Sequence, residues 1–205
     1  MEKRNKIISL SAYSTLALFT MQLFLILSSW IVASVSTDTT IRSLLGNEGL
    51  RWLFGSLVDN VSSKALVWII LMGFSYGTIK DSRLYQSLKN YKRLSDYERM
   101  ALLVVAWQAV AIITSIILLA FIPHAVLLSA VGTLIPSSFS ASIVPMSAFT
   151  LCFLSVTYGS MTGIFKSVTS VFLSLINGVS IVSPLIVVYI FAAEFYCSLT
   201  WVLNF

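Results

Sequence analysis

The second half of this sequence has almost no charge. The whole chain has thirteen Lys/Arg and eight Asp/Glu residues, but only Lys166 and Glu194 follow position 100. A soluble fold cannot keep a hundred residues in water with so few charges. In lipid, by contrast, an ionised side chain is costly and is rarely retained without a role. The second half is therefore predicted to lie in a membrane, and its two charged residues are the first candidates for function.

Histidine and cysteine are also scarce, which limits the chemistry that the chain can support. One His and two Cys residues exclude a His/Cys metal site of recognisable spacing and a disulfide framework. Cys152 and Cys197 lie in apolar segments and are interpreted as free thiols. No glycine-rich phosphate loop follows a strand, and no nucleophile–base constellation is present. We therefore expect no cofactor, no nucleic-acid partner and no enzymatic activity.

Apolar residues dominate what is present. They make up 58% of the chain, and the mean hydropathy is +0.92, well above the composition of globular domains. The fold class predicted is an all-α polytopic integral membrane protein, a single domain with about five transmembrane helices and one or two re-entrant or broken segments. The predicted spans are 7–33, 65–79, 100–122, 143–160 and 181–203.

Basic residues set the expected orientation. They cluster before the first span and in the polar linker 80–99, and short positive segments stay in the cytoplasm. The N-terminus is therefore predicted to be cytoplasmic, and the region between the first two spans to be external. In that region an amphipathic helix is predicted at 47–61, because Leu50, Leu53, Phe54 and Leu57 share one helical face.

Short apolar pieces alternate with longer ones in the second half. The segments 125–140 and 167–178 are too short to cross a bilayer, and Asn177 and Gly178 resemble a hairpin tip. Such interrupted segments are typical of re-entrant hairpins in transporters. A plain bundle of proline-kinked helices is the alternative. In the second span, Gly73 and Gly77 have the spacing that allows another helix to approach closely.

The first external region carries a resemblance. The run from Ile41 to Phe54 reads IRSLLGNEGLRWLF, and it is followed by Val58, Asp59 and Asn60 and by a short glycine-bearing helix that ends near Ser82. Over 34–84 the chain resembles the p-aminobenzoyl-glutamate transporter (AbgT) family. The resemblance implies a short or diverged member of a family of bacterial inner-membrane secondary transporters. These have re-entrant hairpins, assemble as dimers, use ion gradients, and move aminobenzoyl-glutamate or export antimetabolites.

Glu194 is the main candidate for chemistry. A carboxylate within an apolar span must be protonated, paired or in contact with water. Ser183, Cys197 and Ser198 share its predicted helical face. Glu194 is thus either a residue that couples transport to a proton or cation, or a neutral acid hydrogen-bonded between helices.

Five weaker candidates accompany it. Lys166 is either an interfacial lysine or a partner for Glu194 or for an anionic substrate. The hydroxyls of Ser137, Ser138 and Ser140 could contact substrate or join helices. Asn177, at the predicted hairpin tip, could bind substrate or only turn the chain.

The function expected from these features is secondary active transport of a small organic anion, such as p-aminobenzoyl-glutamate, or efflux of a related antimetabolite. Coupling to a proton or sodium gradient and assembly as a homodimer in the lipid bilayer are part of this expectation. The alternative is a non-transporting structural or regulatory membrane subunit derived from a shortened transporter.

Overall fold

The structure is a computed structural model that describes residues 2–35, 41–121 and 138–204, with the side chains of residues 2, 3, 120, 121 and 138–140 left out. The described part is helical. Its α-helices are α1 (Glu2–Val35), α2 (Asn47–Gly55), α3 (Leu57–Val61), α4 (Lys64–Asp81), α5 (Leu84–Lys89), α6 (Asp96–Phe121), α7 (Ser138–Met161) and α8 (Val168–Leu203), and a short 3-10 helix covers Tyr91–Arg93.

Four helices in the described ranges are long and apolar enough to cross a membrane: Arg4–Val35, Asp96–Leu119, Ala141–Met161 and Val168–Leu203. The chain is therefore an all-α polytopic membrane protein, as the composition predicts. The remaining predicted span, 65–79, corresponds to α4. Its 18 residues cover about 27 Å at 1.5 Å per residue, slightly less than the hydrocarbon core of a bilayer.

Two predicted elements differ from the structure, although the outer bounds of the first, 47 and 61, are those observed. The amphipathic helix 47–61 is divided at Ser56 into α2 and α3. More importantly, 167–178 is not a separate segment with a turn at Asn177 and Gly178, because α8 continues through both residues and through Pro184. Membrane helices tolerate an internal proline when the freed backbone group finds other partners. The predicted segment 125–140 falls mainly outside the described residues, and its last three residues begin α7.

The chain divides into two compact units. Unit 1 contains Met1–Ile69 and Val182–Phe205, and unit 2 contains Ile70–Ile181.

Unit 1 packs α1 against the C-terminal part of α8. The rings of Phe19 and Phe191 meet edge to face with centroids 6.2 Å apart. The segment after α1 returns to the same helices, since Leu44 is fully buried and its backbone N–H donates to Ser29 Oγ at 3.2 Å. This return path carries α2 and α3 to the end of α8.

Unit 2 has a small apolar core formed by Leu84, Ala101, Leu102, Val105 and Tyr158. The core joins α5, α6 and α7. The buried Tyr158 hydroxyl donates to Ser87 Oγ at 2.7 Å, so its polar end is satisfied. The chain leaves α7 through Gly163, whose φ of +71° is the left-handed conformation that often ends a helix.

Glycines bring α4 and α8 together within unit 2. A Cβ on Gly178 would lie 2.1 Å from the Gly73 carbonyl oxygen, and one on Gly77 would lie 2.3 Å from the Ser174 carbonyl oxygen. Only residues without a side chain allow such an approach. The close packing predicted for Gly73 and Gly77 is confirmed, and Gly178 serves this contact rather than a turn.

Candidate functional site

Glu194 lies half-buried in unit 1, on the C-terminal part of α8. Its Oε2 accepts a hydrogen bond from Asn60 Nδ2 at 3.1 Å. Its Oε1 is buried and has no hydrogen-bond partner among the described residues. An unsatisfied buried acceptor costs about 1–3 kcal/mol. Within the described part of the chain, this oxygen therefore lacks the hydrogen-bond partner that a buried acceptor normally has.

The path of the chain after α2 brings Asn60 to this carboxylate. α3 begins after Ser56, whose backbone N–H donates to Trp52 O at 2.8 Å. At the other end of α3, the Tyr189 hydroxyl donates to Val61 O at 3.3 Å and hydrogen-bonds with Ser63 Oγ. Tyr189 belongs to the same helix as Glu194. The hydrogen bonds of Tyr189 and the bond between Glu194 and Asn60 therefore both hold α3 against α8.

A cavity of about 270 Å³ in unit 1 is lined by Arg42, Trp52, Asn60, Cys197, Thr200, Trp201 and Asn204. The rings of Trp52 and Trp201 stack with centroids 5.3 Å apart. The Arg42 guanidinium carbon lies 5.7 Å from the centroid of the Trp201 ring. The Arg42 backbone N–H also donates to Val202 O at 3.1 Å, which anchors this arginine at the end of α8.

The cavity and the carboxylate belong to one continuous arrangement. Glu194, Cys197 and Trp201 are spaced three and seven residues apart and therefore share a face of α8. Asn60 lines the cavity and also bonds to Glu194. Trp201 is about 10 Å along the helix from Glu194. The arrangement combines a cation, two aromatic rings and an amide with a carboxylate that has one free acceptor oxygen.

A second polar contact lies in the same unit. Gln22 Nε2 donates to Ser198 Oγ at 2.8 Å, and Ser198 is fully buried. Ser198 is predicted on the Glu194 face, but it bonds to α1 instead of lining the cavity. The side-chain hydroxyls of α1 donate mainly to backbone carbonyls three or four residues earlier in the same helix, as Ser14 does to Leu10 O. These hydrogen bonds lower the free-energy cost of placing the hydroxyls in lipid.

A family model described as "AbgT putative transporter family" matches residues 74–203, more than half of the chain. The chain belongs to the AbgT transporter family. This AbgT protein is therefore a multi-pass membrane protein of a transporter family, as the resemblance implies. The matched range includes Glu194, whereas Arg42, Trp52 and Asn60 lie in the earlier segment that carries the resemblance. No curated protein and no solved structure is significantly similar to this chain.

Two of the other predicted site residues of the AbgT protein, Lys166 and Asn177, belong to unit 2. Lys166 is exposed in the segment between α7 and α8 in unit 2. Asn177, also in unit 2, donates from Nδ2 to Asp81 Oδ2 at 3.0 Å. Ser137 lies outside the described residues, and Ser138 and Ser140 fall in the first turn of α7, where only the backbone is described.

The residues without a role predicted from the sequence include Arg42, Trp52, Asn60 and Trp201 of the arrangement and Gln22 of the second contact. Gln22 carries a signal of its own, because it is an amide inside an apolar run. Arg42 and Trp52 lie in the motif of the resemblance, but that motif gives no partner for either. Their meeting with Trp201, some 150 residues later in the sequence, depends on the tertiary fold.

Proposed function

We propose that this AbgT protein carries out secondary active transport of a small organic anion, such as p-aminobenzoyl-glutamate, or efflux of a related antimetabolite. The observation that carries the proposal is the cavity in unit 1, where Arg42 and two stacked tryptophans adjoin the Asn60–Glu194 pair. A guanidinium binds carboxylates, and tryptophan faces bind aromatic rings. A substrate with both groups matches this lining.

Glu194 is the proposed coupling residue. Its Oε1 is the only carboxylate oxygen among the buried unpartnered atoms in the described part of the chain. Protonation at Oε1, or binding of sodium there, would change the charge next to Asn60 and the cavity. Either event gives a gradient a means of altering substrate affinity, as coupled transport requires.

The test is uptake and efflux of labelled p-aminobenzoyl-glutamate in proteoliposomes, with and without an imposed proton or sodium gradient. Glu194→Gln keeps the shape of the side chain and removes its titration. We expect gradient-driven movement to fall to the background of protein-free vesicles, while the variant still purifies as folded protein. Glu48→Gln, at an exposed carboxylate in the first turn of α2, is the matched control and keeps transport. Unchanged coupled transport by Glu194→Gln would remove this residue from the mechanism.

Arg42 gives a separate test of substrate binding. Arg42→Gln removes a charge-assisted contact, worth about 1.5–3 kcal/mol, so we expect the substrate KM to rise roughly tenfold or more. Arg51→Gln removes the same charge from a residue of α2 that does not line the cavity and leaves KM unchanged. Equal effects of the two variants would mean that general surface charge, rather than the cavity, attracts the anion.

We also propose a homodimer in the bacterial inner membrane with a cytoplasmic N-terminus. Within the chain only 6% of the α1 span and 11% of the α6 and α8 spans are buried, which leaves large apolar faces for lipid or for a second copy. Chemical cross-linking in native membranes would give a dimer band if the proposal holds and only monomer if it fails.

The same exposed faces favour the second candidate function, a non-transporting subunit that packs on a different chain. Well-folded protein that moves no anion under any gradient, and that co-purifies with another membrane protein, would support this candidate.

A further inference from the structure

A second polar pocket lies in unit 2, at the end of α4. It has a volume of about 400 Å³ and is lined by Tyr76, Ile79, Lys80, Arg83, Tyr85 and Gln86. Tyr76, Ile79 and Lys80 are spaced three and four residues apart, which places them along one side of α4, and Arg83 lies just after the end of this helix. Other positions of α4 are packed, since Gly73, Ser75, Gly77 and Thr78 are buried.

The backbone holds the cationic side of this pocket in place. Arg83 follows α4 with φ of 60° and ψ of 14°, the left-handed conformation that few residues other than glycine adopt. Its neighbours stabilise this turn. Ser82 is fully buried and its Oγ donates to Ile79 O at 3.2 Å, while Leu84 lies in the apolar core. With Leu84 held inside, the residues on either side of it, Arg83 and Tyr85, line the pocket.

The pocket carries positive charge without a compensating acid. Two cations and no carboxylate line it. The nearest acid in sequence, Asp81, accepts its hydrogen bond from Asn177. In the part of the chain that the structure describes, neither Lys80 nor Arg83 forms an ion pair. An anion would therefore meet two unpaired donors.

The surroundings of the pocket are those of a membrane–water interface. Tyr76 and Tyr85 are 52% and 66% exposed, and exposed tyrosines at the end of an apolar helix are typical of headgroup depth. Below them Met72, one turn earlier on α4, is 44% exposed and extends an apolar path away from the cations. A ligand with a phosphate group and an acyl chain fits both parts, whereas a free phosphate would use only the first.

We infer that this pocket binds the headgroup of an anionic phospholipid. Lys80 and Arg83 bind the phosphate, the tyrosine hydroxyls donate to its oxygens, and one acyl chain lies along the α4 face past Met72. Basic pockets beside membrane helices recognise anionic lipids in this way. The inference does not depend on the proposed transport, because lipid binding is measured without a substrate.

The test measures lipid binding by native mass spectrometry on the full chain in a neutral detergent. Phosphatidylglycerol is the anionic probe, phosphatidylcholine the zwitterionic one, and glycerol phosphate the soluble one. The double variant Lys80→Gln with Arg83→Asn removes both charges, and asparagine tolerates the left-handed conformation. The double variant Lys89→Gln with Arg93→Gln is the matched control, since both residues are exposed in the same linker and do not line the pocket.

We expect phosphatidylglycerol to bind in preference to phosphatidylcholine, and the pocket variant to lose roughly thirtyfold in affinity, at about fivefold for each basic residue. The control variant should lose much less. Lys80→Gln alone, at an exposed helical position, repeats the test if the double variant does not fold. Equal losses in both double variants would overturn the pocket as the site. Displacement of the lipid by an equal concentration of glycerol phosphate would overturn the lipid in favour of a soluble anion.

Discussion

Within unit 1 and within unit 2, the tightest contacts between segments are of different kinds. In unit 1, polar side chains from distant segments meet one another, as Asn60 meets Glu194 and Gln22 meets Ser198. In unit 2 the tightest contacts are backbone to backbone at Gly73, Gly77 and Gly178. In lipid, where apolar surface gives little preference for one neighbour over another, close fit and hydrogen bonds are the two means of holding helices together. Unit 2 uses both, because Tyr158 also bonds to Ser87 and Asn177 to Asp81, whereas Glu194 belongs to the polar contacts of unit 1.

The largest loss of stability is expected from Gly178→Ala in unit 2. The new Cβ would lie 2.1 Å from the Gly73 carbonyl oxygen, and backbone on both sides leaves no flexible side chain to move. We expect a loss of about 3 kcal/mol or more in the free energy of unfolding, seen as a fall of roughly 6–12 °C in Tm in detergent. The control is Gly55→Ala, where nothing lies within 4 Å of the new Cβ. Equal Tm values for the two variants would show that the glycine contact does not hold unit 2 together.

A smaller effect is expected from Tyr158→Phe in the core of unit 2. The change removes the hydrogen bond to the Ser87 hydroxyl and leaves that buried oxygen without its donor, which costs about 1 kcal/mol. Thermal unfolding should fall by roughly 2–4 °C. Tyr97→Phe, at a side chain that is 62% exposed, should leave Tm unchanged. A drop as large as that of Gly178→Ala would mean that unit 2 also depends chiefly on polar contacts.

The smallest effect is expected from Gln22→Leu in unit 1. The contact with Ser198 is lost, but so is the buried Gln22 Oε1, which has no partner among the described residues. Hydrogen bonds between membrane helices average about 0.6 kcal/mol, so Tm should change by only about 1–2 °C. Met21→Leu, at the neighbouring exposed position, is the control. Complete loss of folded protein in Gln22→Leu would show that this hydrogen bond stabilises unit 1 by far more than about 0.6 kcal/mol.

The sequence predicts the membrane class and the main spans. It also makes Glu194 a candidate for function, because this residue is the only carboxylate in the second half of the sequence. It also predicts the close approach at Gly73 and Gly77. The neighbours of Glu194 could not be found this way. Asn60 and Arg42 are polar residues in a polar segment between two predicted spans, and nothing in their spacing indicates that they return to α8.

The wrong interpretation of Gly178 has a physical cause. Asparagine followed by glycine is a strong turn signal in water, where the backbone groups freed by a turn can bond to solvent. In a membrane the same glycine removes the side chain that would keep two helices apart. Sequence alone does not separate these two uses. Here Asn177 bonds to Asp81 and Gly178 meets Gly73, so both residues serve contacts with α4.

Unit 1 is assembled from both ends of the chain, while unit 2 is continuous in sequence. A chain emerging from the ribosome therefore completes all residues of unit 2 before Val182 is made. Asn60 is synthesised more than 130 residues before Glu194. The separation between Gln22 and Ser198 is larger still. Because domains tend to fold as their residues become available, we expect the candidate site to form after unit 2. A nascent chain that stops before Glu194 would contain every residue of unit 2 and lack the proposed coupling residue.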